Sequence, residues 1–313
     1  MKQLTDRFYR DDNDLERMLT LVSASMGQDG FPAGHFHRGD IVWGLFQNLT
    51  IDPSSRIRLF EDGEGKLRGF VWLHPPRGFG IHVNSTFPDV ESTITTMVRW
   101  AEAHLRATSA PDETVTAFEV MEVPSTDDRF KKTLAALGYR IVDGDVAFQL
   151  GLRDLRGDIS EPTLPSGAEI RPVRVEDAAE VEARVALHQD VWKPSRFSVE
   201  GYARLRSKPV YRPDLDLVAV APDGELASYC VVWWDPTTQT GEFEPVGTAS
   251  RFRRQGYGRA LLLDALRRLQ ALGGADALVI SETGPERAPS RSLYASVGFE
   301  VIVRFESWER AEG

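Results

Sequence analysis

The sequence predicts an α/β (α+β) protein built as two tandem copies of one plan, each a mixed, largely antiparallel sheet flanked by helices. Three observations lead there. Runs of strand period and helix period alternate along the chain, Asp-Gly turns separate paired β-like runs at two places 161 residues apart, and each half closes on a helix, a glycine and a strand.

Asp62-Gly63 lies between IRLFED and LRGFVW, and Asp223-Gly224 between LDLVAV and ASYCVVWW, the pattern of a hairpin in both cases. Trp72 meets Trp233 at the same spacing. KTLAALGYRIV and RSLYASVGFEVI each end a helix at a glycine, Gly138 and Gly298, 160 residues apart, where glycine suits a left-handed C-cap. Between the copies, GLRDLRGDISEPTLPSG (151–167) is rich in glycine, proline and acid and lacks an apolar period, so it reads as a linker. The expected division is a first domain at 1–150, a linker at 151–167 and a second domain at 168–313. Within the second, strands are expected at 168–173, 215–221, 226–234, 241–248, 277–281 and from Phe299, with helices at 176–187, 198–206, 256–272 and 288–297. In the long helix Leu262, Ala265, Leu266, Leu269 and Leu272 form one core-facing stripe.

At 313 residues, 42% apolar and 27% charged, the chain has the size and composition of two soluble globular domains, with no apolar run near the ~20 residues that span a bilayer. The first twenty residues are mixed in charge and lack a secretory pattern, so cytoplasmic residence is expected. A net charge of -10 argues against a pull toward nucleic acid or anionic membrane and favours small amine-bearing partners. The lone cysteine, Cys230, excludes an internal disulfide and a multi-cysteine metal site, and its apolar run makes it a core residue. His35 and His37 in GHFHRGD read as a polar loop, and no metal is expected. No feature fixes an oligomeric state.

The most informative segment is VGTASRFRRQGYGRALLLDAL, a strand entering a glycine-containing turn that opens the long helix. A helix N-terminus offers unpaired N–H groups and the positive end of its dipole, which suit a phosphate. Gly256 and Gly258 carry no Cβ to hold a diphosphate away, and Arg253, Arg254 and Arg259 add local charge in an acidic chain. On residues alone, a solvated basic helix start accounts for the same pattern. Walker A and Rossmann turns do not fit, since G-K-[ST] is absent and Leu261 and Ala260 stand where a third glycine would be.

Arg253-Arg254-Gln255-Gly256-Tyr257-Gly258 matches [RQ]-x-x-G-x-[GA], and Leu293-Tyr294-Ala295-Ser296-Val297-Gly298-Phe299 matches L-Y-x-x-x-G-F. In these two elements, and in their order and separation, the chain resembles the GNAT superfamily of acetyl-CoA-dependent N-acetyltransferases over 168–313. The resemblance implies that the amides from Gln255 through Tyr257 and Gly258 to Arg259 cradle the donor's diphosphate, and that Val246, Gly247 and Thr248 pair with its pantetheine arm. Family members often carry a cofactor-contacting asparagine seven residues before the tyrosine, where this chain has Arg287. It also implies that Tyr294 is the acid toward the departing thiolate. Glu242 and Glu244 share one face of the preceding strand, and the resemblance makes Glu242 the base and Glu244 its partner or an ammonium contact. Without it, both read as solvent-facing carboxylates and Tyr294 as core. His188, Trp192, Arg196 and Phe197 fall where the family builds its lid over the acceptor.

In the first half, Ile81 and Val83 stand in place of Glu242 and Glu244, Leu134 in place of Tyr294, and no glycine occurs between Gly80 and Gly138. Base, acid and anion cradle are missing together, so residues 1–150 read as a degenerate copy that packs on the second half. The expected function is acyl-CoA-dependent N-acyl transfer, acetyl first, to a primary amine of a small molecule. The alternatives are a non-catalytic CoA-binding or ligand-sensing module and a protein N-acetyltransferase.

Overall fold

Alternation in ASYCVVWW puts Cys230 and Val232 on one sheet face and Val231 and Trp233 on the other, and all four are buried. Both faces of that strand are therefore covered, one by each half of the chain. The computed structural model describes residues 4–29, 36–84, 87–108, 115–284 and 288–311.

The first half runs β1 (Thr5–Phe8), α1 (Asp12–Asp29), α2 (Arg38–Phe46), α3 (Pro53–Arg56), β2 (Ile57–Glu61), β3 (Leu67–His74), β4 (Gly78–Val83), α4 (Val90–Thr108), β5 (Ala117–Pro124), α5 (Asp128–Ala136) and β6 (Arg140–Asp154). The second runs β7 (Glu169–Pro172), α6 (Ala178–Val191), α7 (Val199–Arg206), β8 (Asp216–Val220), β9 (Leu226–Asp235), β10 (Thr240–Thr248), α8 (Tyr257–Ala271), β11 (Asp276–Glu282), α9 (Ala288–Ser296) and β12 (Glu300–Ala311). Every strand and helix expected in the second half forms within a few residues of its expected bounds.

The twelve strands among the described residues join one sheet in the order β1-β2-β3-β4-β5-β12-β6-β11-β10-β9-β8-β7. Only the pairs β4/β5 and β10/β11 are parallel. The last strand of each half lies between strands of the other: β12 separates β5 from β6, and β6 separates β12 from β11. This exchange carries β6 through Asp154, four residues into the segment expected as linker, because Leu150–Asp154 pair with Asp276–Ile280. From Glu300 to Ala311 the chain is likewise one strand, with register shifts in its pairing to β6.

Leu15, Met18, Ile41 and Leu45 of α1 and α2 share a core with Val231, Trp233, Leu278 and Phe305 of the second half. Each such side chain contributes roughly 1.5–3 kcal/mol on burial, so the contact between halves is a core rather than a surface apposition. On the opposite face α8 buries Leu262, Ala265, Leu266 and Leu269 against β8, β9 and β10. Leu272, expected on that stripe, is the helix C-cap and 37% exposed: the stripe ends where the helix does.

Candidate active site

β10 and β11 pair only from Thr240 to Glu242; beyond that point β11 continues to Glu282 while β10 diverges. A bulge between Phe243 and Val246, which holds Pro245, bends β10 away, and Trp233 Nε1 donates to the Glu244 carbonyl at 2.6 Å to hold the bend. The strands splay, and a cavity of about 1290 Å³ opens between them. Along its wall Val246, Gly247 and Thr248 pair on their other side with β9, leaving the edge toward the cavity unpaired among the described residues. Gly247 is needed there, since a Cβ would stand 2.6 Å from the Tyr229 ring.

At one end the cavity reaches the start of α8. Gly256 caps that helix in the left-handed region, φ +91°, and gives no side-chain cap, so the first-turn amides keep their donors. A Cβ at Gly256 would meet open space, whereas one at Gly258 would stand 2.8 Å from Thr248 Oγ1. Arg251 is occupied by Asp223 and Glu225 at 2.5 and 2.6 Å. Arg253, Arg254 and Arg259 line the cavity, are exposed, and pair with no carboxylate among the described residues. A turn with bare amides and three guanidiniums free of carboxylates, of which Arg253 Nε donates to the Thr248 carbonyl at 3.4 Å, fits a diphosphate. The Tyr257 side chain packs in the core on Phe252, and Gln255 is turned back to the Arg251 carbonyl, so these two offer only their backbone. Arg287 lies outside the described residues.

Midway along the cavity, Glu244 and Tyr294 both line the wall, and Glu244 is near enough to Tyr294 to raise its hydroxyl's pKa, after burial and ahead of Cys230. The phenol therefore stays protonated. Behind Glu244, Asp40 of α2 and Glu242 complete a cluster whose carboxylate oxygens lie within 4.8 Å of one another. Asp40 N–H donates to Glu242 Oε2 at 3.0 Å, and His37 Nδ1 sits 3.2 Å from the same oxygen. Three carboxylates this close cannot all ionise. Burial, and then the charge of Glu244, push Glu242 up to about 8. Burial, and then Asp40 and Glu122, raise Glu244 well above the usual range, and burial and Glu242 do the same for Asp40. The cluster retains protons at neutral pH, and a cation brought beside it would favour its ionised form.

Several expectations are corrected here. Glu242 does not reach the cavity: it is fully buried beneath Asp40, and of the two β10 glutamates it is Glu244 that lines the wall. Phe197 is 1% exposed and packs among Trp43, His188 and Tyr202, so it shapes the wall from behind. His37 is no polar loop residue but the buried N-cap of α2, accepting from Gly39 N–H at 3.1 Å in a capping box with Asp40; His35 lies outside the described residues. His188, Trp192 and Arg196 do line the cavity.

Sequence reasoning missed Trp43 and Gln47, through which the first half walls the second half's cavity, and Asp40, which stands behind that wall with Glu242 and Glu244. The one local signal is Gly39, whose Cβ would stand 2.5 Å from Glu242 Oε2 and 2.6 Å from the Trp233 ring. Only glycine lets α2 come so close to β10.

Residues 184–299, within the second half, match the model of the acetyltransferase (GNAT) family. A 144-residue stretch is 31% identical to a mycothiol acetyltransferase of Kineococcus radiotolerans, covering 45% of this chain and 46% of that one. A 166-residue stretch is 30% identical to a mycothiol acetyltransferase of Frankia casuarinae, covering 49% and 47%. The matched stretch thus spans about half the length of these relatives. Over the whole chain, the fold is shared with a GCN5-related N-acetyltransferase from Sphaerobacter thermophilus, with a TM-score of 0.64, 17% identity and coverage of 98% and 95%. It is shared equally with a tandem GNAT protein from the clavulanic acid biosynthesis pathway, with a TM-score of 0.63, 18% identity and coverage of 99% and 99%.

Proposed function

We propose that the chain transfers an acetyl group from acetyl-CoA to a primary amine of a small molecule by direct attack, with both substrates bound in the one cavity. The observation that carries this reading is the continuity of that cavity, from the uncapped α8 turn past the free β10 edge to Glu244 and Tyr294. The amides of residues 255–259, with Arg253, Arg254 and Arg259, hold the diphosphate; Val246, Gly247 and Thr248 align the pantetheine arm as an added strand. The N–H near Val246 faces the carbonyl oxygen as its charge develops.

An alkylammonium has a pKa near ~10, so the amine must lose a proton before attack. Glu244 takes it when ionised, a form that grows as pH rises, and burial beside Asp40 raises its affinity for that proton. Tyr294 gives its proton to the departing thiolate and regains one from the attacking nitrogen as it sheds its second proton to become an amide, so the reaction as a whole releases the single proton taken by Glu244. Residues 1–150 act as a degenerate copy that supplies Asp40 and the Trp43 wall. That wall encloses the acceptor end and favours a small molecule over a protein, and the mycothiol acetyltransferases among the relatives support acetyl as the transferred group. In an assay of CoA thiol release from acetyl-CoA across a panel of amines, Glu244→Gln and Tyr294→Phe should each lower kcat by about 10²–10⁴ with the circular dichroism spectrum unchanged. Undiminished turnover in both variants would remove these roles.

A further inference from the structure

Beyond the carboxylates, the acceptor end of the cavity holds a three-member hydrogen-bond chain whose direction is fixed by chemistry. Trp192 Nε1 lies 2.8 Å from the Tyr229 hydroxyl, which lies 2.8 Å from His188 Nδ1. An indole N–H only donates, so the hydroxyl accepts from Trp192. Tyr229 is fully buried and has no other acceptor for its own proton among the described residues, so that proton goes to His188 Nδ1. Nδ1 is thus an acceptor, and the ring proton sits on Nε2. The imidazole stays neutral, because burial and then the charge of Arg184, one helical turn earlier on α6, push it down to about 3. The ring is locked by Phe197 at 4.5 Å and Trp43 at 5.5 Å. His188 is 4% exposed and lines the cavity, and Nε2, on the ring edge away from Tyr229, bonds to no described residue. Gln47, Asn48 and Ser195 also line the cavity, with the charged Lys193 and Arg196 on either side of Ser195 in the chain.

We propose that His188 presents a pre-oriented Nε2–H donor to the acceptor, which makes the acceptor class a primary amine that also bears a hydroxyl or carbonyl oxygen. This rests on the acetyltransferase reading above. Glu244 receives the amine and His188 the oxygen, so the spacing between the two selects among amines. Tyr229 and Trp192 are positioning residues that act through His188.

The test uses the full chain, acetyl-CoA, n-alkylamines of two to six carbons and the amino alcohols of matching length. The expected result is that one amino alcohol exceeds its alkylamine by about three- to tenfold in kcat/KM, the worth of one hydrogen bond. That advantage should vanish in His188→Phe and in Tyr229→Phe, with the loss in acceptor KM rather than in acetyl-CoA KM. Nitrogen NMR of the imidazole rings should show His188 protonated on Nε2 and neutral at pH 6, with mixed tautomers in Tyr229→Phe; this reading stands even if His188→Phe fails to fold. A proton on Nδ1, or turnover with no preference for any amino alcohol, would overturn the proposal while leaving acetyl transfer intact. An absence of turnover across the whole panel would overturn both.

Discussion

Glu242 and Glu244 stand two residues apart on β10, yet one is sealed under Asp40 and the other borders the cavity. Their protons belong to a cluster, so kcat/KM should rise with pH as the cluster empties, with an apparent pKa near the value of about 8 set by Glu242's burial and by Glu244. Glu242→Gln removes one of the competing charges and should move that rise to lower pH, in a rate profile taken from pH 6 to 10. Stability carries the same signature with a definite sign. Glu242 has a folded pKa above its ordinary value of 4.5, so its contribution is complete below 4.5 and is lost as pH rises through about 8. Glu242→Gln should therefore show a smaller fall in Tm between pH 5 and pH 9 than the native chain; an equal fall would show that Glu242 does not titrate in the folded state. At this scale the sequence was readable where chemistry is local, at Gly256, Gly258 and Tyr294. It was not readable at Asp40, whose backbone meets Glu242 from 202 residues away. His37 and Asp40 announce only a helix cap, and nothing in their spacing says which strand the cap lies against.

The start of α8 and the bulge in β10 are the two elements on which donor binding rests. Gly256→Ala places a Cβ at φ +91°, at a cost of about 1–2 kcal/mol, in space open within the protein but beside the amides that would receive the diphosphate. The expected outcome is a lower Tm together with a raised KM for acetyl-CoA and an unchanged acceptor KM. Truncating Leu266 in the same helix acts on packing alone: Leu266→Ala should cost about 2–5 kcal/mol in denaturant unfolding, because the side chain is fully buried under β9. Helices and strands were legible because apolar residues recur at 3.6 or 2 residues. The bulge was not: Phe243 and Val246, three residues apart, break the period of two, but that the extra residue is taken up as a bulge shows only in their pairing with Val232 and Cys230.

Over the whole molecule, the reciprocal placement of β6 and β12 means that neither half owns a finished sheet. Cutting the chain in the irregular stretch between β6 and β7 should leave the two pieces associated, while residues 168–313 expressed alone would lack the β6 partner of β11 and both partners of β12. A single calorimetric transition for the full chain, and an unfolded or aggregated spectrum for the isolated second half, are the expected results. Tandem organisation was legible from the recurrent Asp-Gly and helix-glycine-strand signals, but the exchange was not, since a strand's partner is set by tertiary packing and β6 and β12 carry no mark of which neighbour they choose. The same exchange lays α2 across β10 and so brings Asp40 to Glu242. The account as a whole stands on amine-dependent acetyl transfer at that junction. Cys230, the lone cysteine, is buried, so a thiol reagent reports on released CoA. With acetyl-CoA and the amine panel, the native chain should release thiol only when amine is present, and Glu244→Gln should bind acetyl-CoA as tightly while releasing thiol at least a hundredfold more slowly. Native protein that binds no acetyl-CoA, or a Glu244→Gln variant as fast as the native chain, would contradict it.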